Sequence, residues 1–245
     1  MKIIDNVPYC NDAVTRQHLK IYLPETDEFD VFVYFHGGGL TAGYYNDCNH
    51  FAEKLCDNGI AVVGLNYRLY PNASYPDFLK DAAAGVAWVK KNIEQYGKMK
   101  RLFVGGSSAG GYISMMLCFD KRWLGMHGIA PDSIDGYIHD AGQPTCHFNV
   151  LKERGIDSRR VIIDDSAPLY HIGTAVNLSP MLFVVSDNDM ENRYEQTKLV
   201  ISTLKHFRYD MSKVQLKVMQ GTHCHYINKE PQFDDIALEF FNSLK

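Results

Sequence analysis

What the chain lacks narrows the field before any motif is read. No run approaches the ~18 consecutive apolar residues that a membrane-spanning helix needs. There is no surplus of basic charge: 25 Lys and Arg stand against 29 Asp and Glu, a formal net charge of −4. Such a balance leaves nothing to neutralise a phosphate backbone, so nucleic acid is not an expected partner. No long block of either sign occurs. The 6 cysteines (Cys10, Cys48, Cys56, Cys118, Cys146 and Cys224) include no Cys-x-x-Cys pair and read as free thiols. The first residues, Met1 to Asn6, have no apolar core and no small-residue cleavage site, and a cytoplasmic location is the expectation. Gly-Lys-Ser/Thr and Gly-x-Gly-x-x-Gly are both missing, which argues against a phosphate loop.

What is present is an ordinary globular composition, 46% hydrophobic and 22% charged over 245 residues. With no repeat and no low-complexity linker, one domain over 1–245 is expected. Short β-branched runs (Val31–Phe35, Ile60–Leu65, Leu102–Val104, Ile134–Ile138, Met181–Val185 and Val214–Met219) alternate with longer helical stretches. Most runs lack strict alternation, as strands covered on both faces should. His18–Leu23 does alternate and predicts an antiparallel edge strand. In 77–96, Phe78, Ala82, Val86, Val89 and Ile93 form one apolar stripe, with Asp77 as the expected N-cap and Gly97 past the end. Residues 192–207 and 233–244 look similar, and 148–154 is weakly helical. The pattern predicts an α/β class, a doubly wound and mostly parallel sheet with helices on both faces and reactive groups at the carboxyl ends of strands. The stretch 141–177, rich in Gly, Pro, His and charge, is expected to be a small lid or pocket wall.

Two motifs carry chemistry. Gly106-Ser107-Ser108-Ala109-Gly110 matches Gly-x-Ser-x-Gly between a strand and a helix-compatible run, Tyr112–Phe119. This is the tight turn that projects a serine nucleophile. Ser108 has glycine at both flanks and is preferred; Ser107, between Gly105 and Ala109, is the rival. The second motif is the strand Val31–Phe35 running into His36-Gly37-Gly38-Gly39. Attack on an ester carbonyl creates an oxyanion that needs donors at ~2.7–3.1 Å. Glycines let backbone N–H groups approach it, and Gly37, Gly38 and Ala109 are the candidate oxyanion-hole donors. His36 reads as structural.

These residues resemble the hormone-sensitive-lipase-like branch of α/β-hydrolase carboxylesterases and the related feruloyl and acetyl-xylan esterase group. The likeness rests on Phe35 to Gly39, Asn66 to Pro71, Tyr75-Pro76-Asp77, Asp81, Trp88 and Ser108 to Gly111. It is dense from 31 to 112 and thinner beyond. It implies hydrolysis of short-chain, acetyl-like esters, of sugars or aryl alcohols, with no metal and no organic cofactor. Two departures stand out: Ser107 occupies a position where many relatives have aspartate, and, with His36 reached after little sequence, the N-terminal helical cap common in that branch is not expected.

The fold implied by the resemblance sets the order Ser, then acid, then His. Asp187 and Asp189 follow one strand; His223 and His225 follow the next. By resemblance the acid falls a few residues past the strand, which favours Asp189 with Asp187 as a loop brace. Relatives also place a small residue and then an aromatic after the base, which Cys224 and Tyr226 match behind His223. A metal reading of His223 and His225 would need help from His139, Cys146 or His147, and no metal site is expected. Tyr44, Tyr45, Phe148 and Tyr170 are candidates to line a pocket for an aromatic or sugar alcohol. The expected partner is a small-molecule ester, with oligomeric state open. The competing functions are an amidase, formamidase or peptidase with the same triad, and a non-catalytic ligand-binding homologue.

Overall fold

The computed structural model describes residues 1–10, 16–174 and 177–244. Its strands and helices follow in the order β1 (Lys2–Pro8), β2 (His18–Leu23), β3 (Glu28–Phe35), α1 (Asn49–Asp57), β4 (Ile60–Leu65), α2 (Asp77–Asn92), β5 (Lys98–Ser107), α3 (Ala109–Phe119) and α4 (Lys121–Gly125). Then come β6 (Gly136–Asp140), α5 (Phe148–Glu153), α6 (Pro168–His171), β7 (Met181–Ser186), α7 (Arg193–His206), β8 (Val214–Met219), the two short strands β9 (Gly221–Thr222) and β10 (His225–Tyr226), and α8 (Phe233–Ser243).

The main sheet has eight strands in the order β1-β2-β4-β3-β5-β6-β7-β8. The β1–β2 and β2–β4 pairings are antiparallel, and every pairing from β4 to β8 is parallel. Strand β3 shows why the parallel strands read as unbroken apolar runs. Val31, Val33 and Phe35 point into a core shared with α2 and α3, while Phe32 and Tyr34 point into a second core under α1 and α8. Both faces are covered, so the central residues of the strand are apolar on either side. Helix α3 goes further, being buried at all of its positions. Among the described residues no helix is long and apolar enough to cross a membrane.

Three local expectations are corrected. His18–Leu23 is antiparallel but is not the edge, because β1 pairs along its outer side. β1 is mostly exposed and a bulge between Ile4 and Val7 breaks its alternation, so only those two side chains pack on the core, yet it covers the hydrogen-bonding edge of β2. The strand expected over Ile134–Ile138 begins at Gly136 and runs to Asp140. Ile134 is held back because its carbonyl accepts from Ser179 Oγ at 2.5 Å, and the Asp135 carboxylate takes the Leu102 N–H at 2.8 Å. Asp77 is the first residue of α2; the N-cap is Pro76.

The stretch 141–177, of which Ala175 and Val176 lie outside the described residues, leaves the end of β6 and gathers around a small cluster of Cys146, Leu151 and Ala167. Asn149 Nδ2 donates from it to the Gly39 carbonyl.

Candidate active site

Parallel strands end on the same side of a sheet, so the loops after β3, β5, β6, β7 and β8 converge at one rim. Ser108 stands at the tip of the β5–α3 turn with φ 56° and ψ −113°, a conformation that L-residues rarely adopt. The turn is held by the Ser108 N–H donating to the Asp140 carbonyl at 2.8 Å. Its flanking glycines are demanded by contact. A Cβ on Gly106 would lie 2.5 Å from the Phe35 carbonyl oxygen, and one on Gly110 would lie 1.9 Å from the same atom. Strand β3 thus presses against both sides of the turn.

Ser108 Oγ lies 2.8 Å from His223 Nε2, and His223 Nδ1 lies 2.6 Å from Asp189 Oδ1. The carboxylate accepts further from the N–H groups of Met190 at 2.7 Å and Ser186 at 3.3 Å. Burial alone would raise the Asp189 pKa; the hydrogen bond and charge of His223, with the two backbone donors, outweigh it and hold it below the ordinary value. It is therefore an anion wherever the protein is folded near neutral pH. A carboxylate on one ring nitrogen and a hydroxyl on the other place the His223 hydrogen on Nδ1 and leave Nε2 to accept from serine.

The other candidates make different contacts. Ser107 Oγ donates to Asp140 Oδ2 at 2.6 Å, although the residue shares the cavity of Ser108 and His223. Asp187 Oδ1 accepts from the Gly221 N–H at 3.1 Å, bracing the acid loop against the histidine loop. His225 is exposed, its Nδ1 donating back to the His223 carbonyl at 2.8 Å. Among the described residues no three His, Cys, Asp or Glu side chains gather as metal ligands.

The glycine loop closes over the serine. A Cβ on Gly37 would sit 3.4 Å from Ser108 Cβ, and Gly38, at φ 97°, has the Ala42 backbone 2.4 Å from where a Cβ would be. Gly37 and Gly38 line the same cavity as Ser108 and His223, while Ala109 begins α3 with its N–H at the positive end of that helix.

That cavity holds about 420 Å³. Its aromatic walls are Tyr34, Phe51, Tyr226 and Phe233, supplied by β3, α1, β10 and the start of α8. The four aromatics expected from the sequence do not line it. Tyr45 is buried with its hydroxyl on Asp5, Tyr44 packs on Tyr45, Phe148 stacks on His147, and Tyr170 is exposed beside His171. Tyr45 shares a short turn with Asp47, which does line the cavity, but its own ring is buried away from it.

Sequence reasoning also missed Asp140. This carboxylate ends β6, is fully buried, and lines the cavity while accepting from Ser107 Oγ and, at 2.5 Å, from Tyr226 Oη. Burial pushes its pKa up to about 6, against the lowering effect of both hydroxyl donors and of His223. The available signal was an acid two residues past a predicted strand that follows the strand leading to Ser108.

A mostly parallel eight-stranded sheet clothed in helices, with a serine at a strained strand–helix turn and a histidine and acid on later strand-end loops, defines an α/β-hydrolase fold. A family model for the alpha/beta hydrolase fold matches residues 32–132. The chain is similar to the carboxylesterase NlhH of Mycobacterium tuberculosis, 34% identical over 118 residues, which are 46% of this chain and 37% of that protein. It is also similar to the tuliposide A-converting enzyme b1 of Tulipa gesneriana, 29% identical over 42% of this chain and 32% of that protein. The matched part thus spans well under half the length of these relatives. Among solved structures, esterase B from Lactobacillus Rhamnosis superimposes with a TM-score of 0.78 over 99% of this chain and 84% of that one, at 17% identity. A truncated carbohydrate esterase from gut microbiota gives a TM-score of 0.77 over 100% and 96%, at 16% identity. These likenesses establish the fold.

Proposed function

We propose that this protein is a serine carboxylesterase acting on short-chain acyl esters, with Ser108, His223 and Asp189 as its catalytic residues. The observation that carries the reading is the continuous relay from Ser108 Oγ to His223 Nε2 at 2.8 Å and from His223 Nδ1 to Asp189 Oδ1 at 2.6 Å, beneath a glycine loop. In the first step Ser108 Oγ attacks the ester carbonyl carbon as its proton passes to His223 Nε2. The carbonyl π pair moves onto oxygen, where the N–H groups of Gly37, Gly38 and Ala109 receive the charge. Collapse breaks the acyl–oxygen bond, and the alcohol departs with the proton from His223. Water then attacks the acyl-serine, giving one proton to His223, which returns it to Ser108 as the acid leaves. Asp189 holds the ring in the required tautomer and stabilises its cationic form.

The cavity supports a small, partly hydroxylated substrate. Asp47, His50, Asp140 and Gln232 share its lining with the four aromatics, a mixture that suits hydroxyl groups better than a long alkyl chain. Asn149 and Phe148 of the excursion 141–177 pack against Gly39 and so support the glycine loop. The deciding experiment is labelling by a fluorophosphonate together with turnover of nitrophenyl acetate. Wild type should be labelled and active, and Ser108→Ala should lose both, with turnover falling at least ~10⁴-fold. Labelling that persists in Ser108→Ala but vanishes in Ser107→Ala would overturn the assignment; absence of both activities in wild type would favour a ligand-binding homologue.

A further inference from the structure

Arg16 stands just before β2, outside every motif, yet it reaches the loop that follows β3. Its Nε donates to the Tyr67 carbonyl at 3.0 Å and its Nη2 to the Gly43 carbonyl at 2.7 Å. The same Nη2 lies 3.2 Å from His36 Nε2. A guanidinium has donors only, so the ring nitrogen facing it must accept. His36 is fully buried, and burial, aided by the Arg16 charge and opposed by the bond to Gly37, lowers its pKa to about 3. The ring is therefore neutral, with one donor and one acceptor. The acceptor is spent on Arg16, so the hydrogen sits on Nδ1, which is 2.7 Å from the Gly37 carbonyl oxygen. One tautomer satisfies both contacts; the other satisfies neither.

That choice has a geometric consequence. In a trans peptide the C=O and N–H point in opposite directions. A Gly37 carbonyl drawn onto His36 turns the Gly38 N–H the other way. Tyr67 Oη does the same one peptide earlier, donating to the His36 carbonyl at 2.8 Å, which turns the Gly37 N–H outward. Tyr67 is itself stacked on His36 at 4.3 Å and carries the carbonyl that Arg16 Nε holds. Gly43 completes the arrangement: a Cβ there would lie 2.3 Å from His36 Nδ1 and 2.4 Å from the Gly37 oxygen, so any side chain would break their contact.

We propose that Arg16 is a positioning residue for the oxyanion hole: by donating to His36 Nε2 it selects the Nδ1–H tautomer, which fixes the Gly37–Gly38 peptide with its N–H toward the cavity at Ser108. This rests on the hydrolase reading above. The rival view is that Arg16 only clamps the carbonyls of Gly43 and Tyr67.

The test combines kinetics with a tautomer measurement. Arg16→Ala should lower kcat for nitrophenyl acetate roughly tenfold to hundredfold, with KM within about twofold, because the lost order matters when the oxyanion forms. Arg16→Lys, which keeps one donor, should lie between, and added guanidinium should restore part of the Arg16→Ala loss. His36→Asn places a carboxamide where Nδ1 stood and removes the atom that Arg16 addresses. In that background Arg16→Ala should cost less than about threefold. An equal loss in both backgrounds, or full kcat in folded Arg16→Ala, would overturn the proposal in favour of a clamp. Nitrogen-15 NMR of His36 reads the tautomer directly: protonated Nδ1 and bare Nε2 in wild type, a mixture in Arg16→Ala. Were wild type itself to hydrolyse no ester, the hydrolase reading would fail, while the NMR arm would still judge the link between Arg16 and His36.

Discussion

Asp140 and Ser107 show how much at the residue scale depends on neighbours in space. Ser107 reads in the sequence as a rival nucleophile; in the fold its hydroxyl is committed to Asp140, 33 residues away, leaving Ser108 alone beneath the imidazole. Burial pushes the pKa of Asp140 in the folded protein up to about 6, above the ordinary carboxylate value of 3.8. Between those values the folded state binds more protons than the unfolded chain, so this group makes stability fall as pH rises through the window. The full effect is ~3 kcal/mol at most. Asp140→Asn cannot ionise, so its urea midpoint relative to that of wild type should rise from pH 4 to pH 7; parallel pH profiles would show that Asp140 does not titrate in this window. Asp189 has the opposite sign. Its pKa is depressed, so its contribution is present above the ordinary carboxylate range and is lost as pH falls through the folded value.

Helix α3 and strand β3 set the tolerance of the Ser108 turn at the scale of elements. The two pack so closely that a Cβ on Gly110 would sit 1.9 Å from the Phe35 oxygen, a backbone atom that cannot swing aside. Gly110→Ala should therefore destabilise the fold by about 3 kcal/mol or more and remove activity with it, since relief means moving β3 from α3. Gly125, at the end of α4, has nothing within 4 Å of a Cβ position, and Gly125→Ala should leave stability within about 1 kcal/mol of wild type. Denaturation midpoints of the two variants separate close packing from a general cost of replacing glycine. The turn was legible because its glycine requirement is local. Strand β1 was not, because the bulge between Ile4 and Val7 breaks the alternation of a mostly exposed strand, and the start of β6 was displaced because Asp135 and Ser179 capture the backbone around Ile134.

The cavity is a property of the whole molecule. Its walls come from β3, α1, the loops after β5 and β6, the histidine loop and the start of α8, so its size follows from how α1 and α8 seat on the sheet. Phe51 and Phe233 lie 5.1 Å apart between ring centroids and belong to the aromatic core beneath, which gives the far wall little freedom to retreat. A space of about 420 Å³ with a polar share should favour acetyl and butyryl nitrophenyl esters over the octanoyl ester. The expected margin in kcat/KM is roughly tenfold or more, about 1.4 kcal/mol of barrier. Octanoate turned over as fast as acetate would mean that the cavity opens further than its walls indicate.

By itself the chain of residues determined the alternation of strands and helices, the glycine-flanked serine turn and the glycine loop after β3. Each of these is dictated by backbone sterics or by burial within a few consecutive residues. Only the tertiary structure decided which of two serines faces an imidazole, which of two histidines supplies it, and that Asp140 and Arg16 stand behind them. Those contacts join residues as far apart as the 115 positions between Ser108 and His223. No local rule reaches that far; sheet order and loop packing bring such side chains within hydrogen-bonding distance.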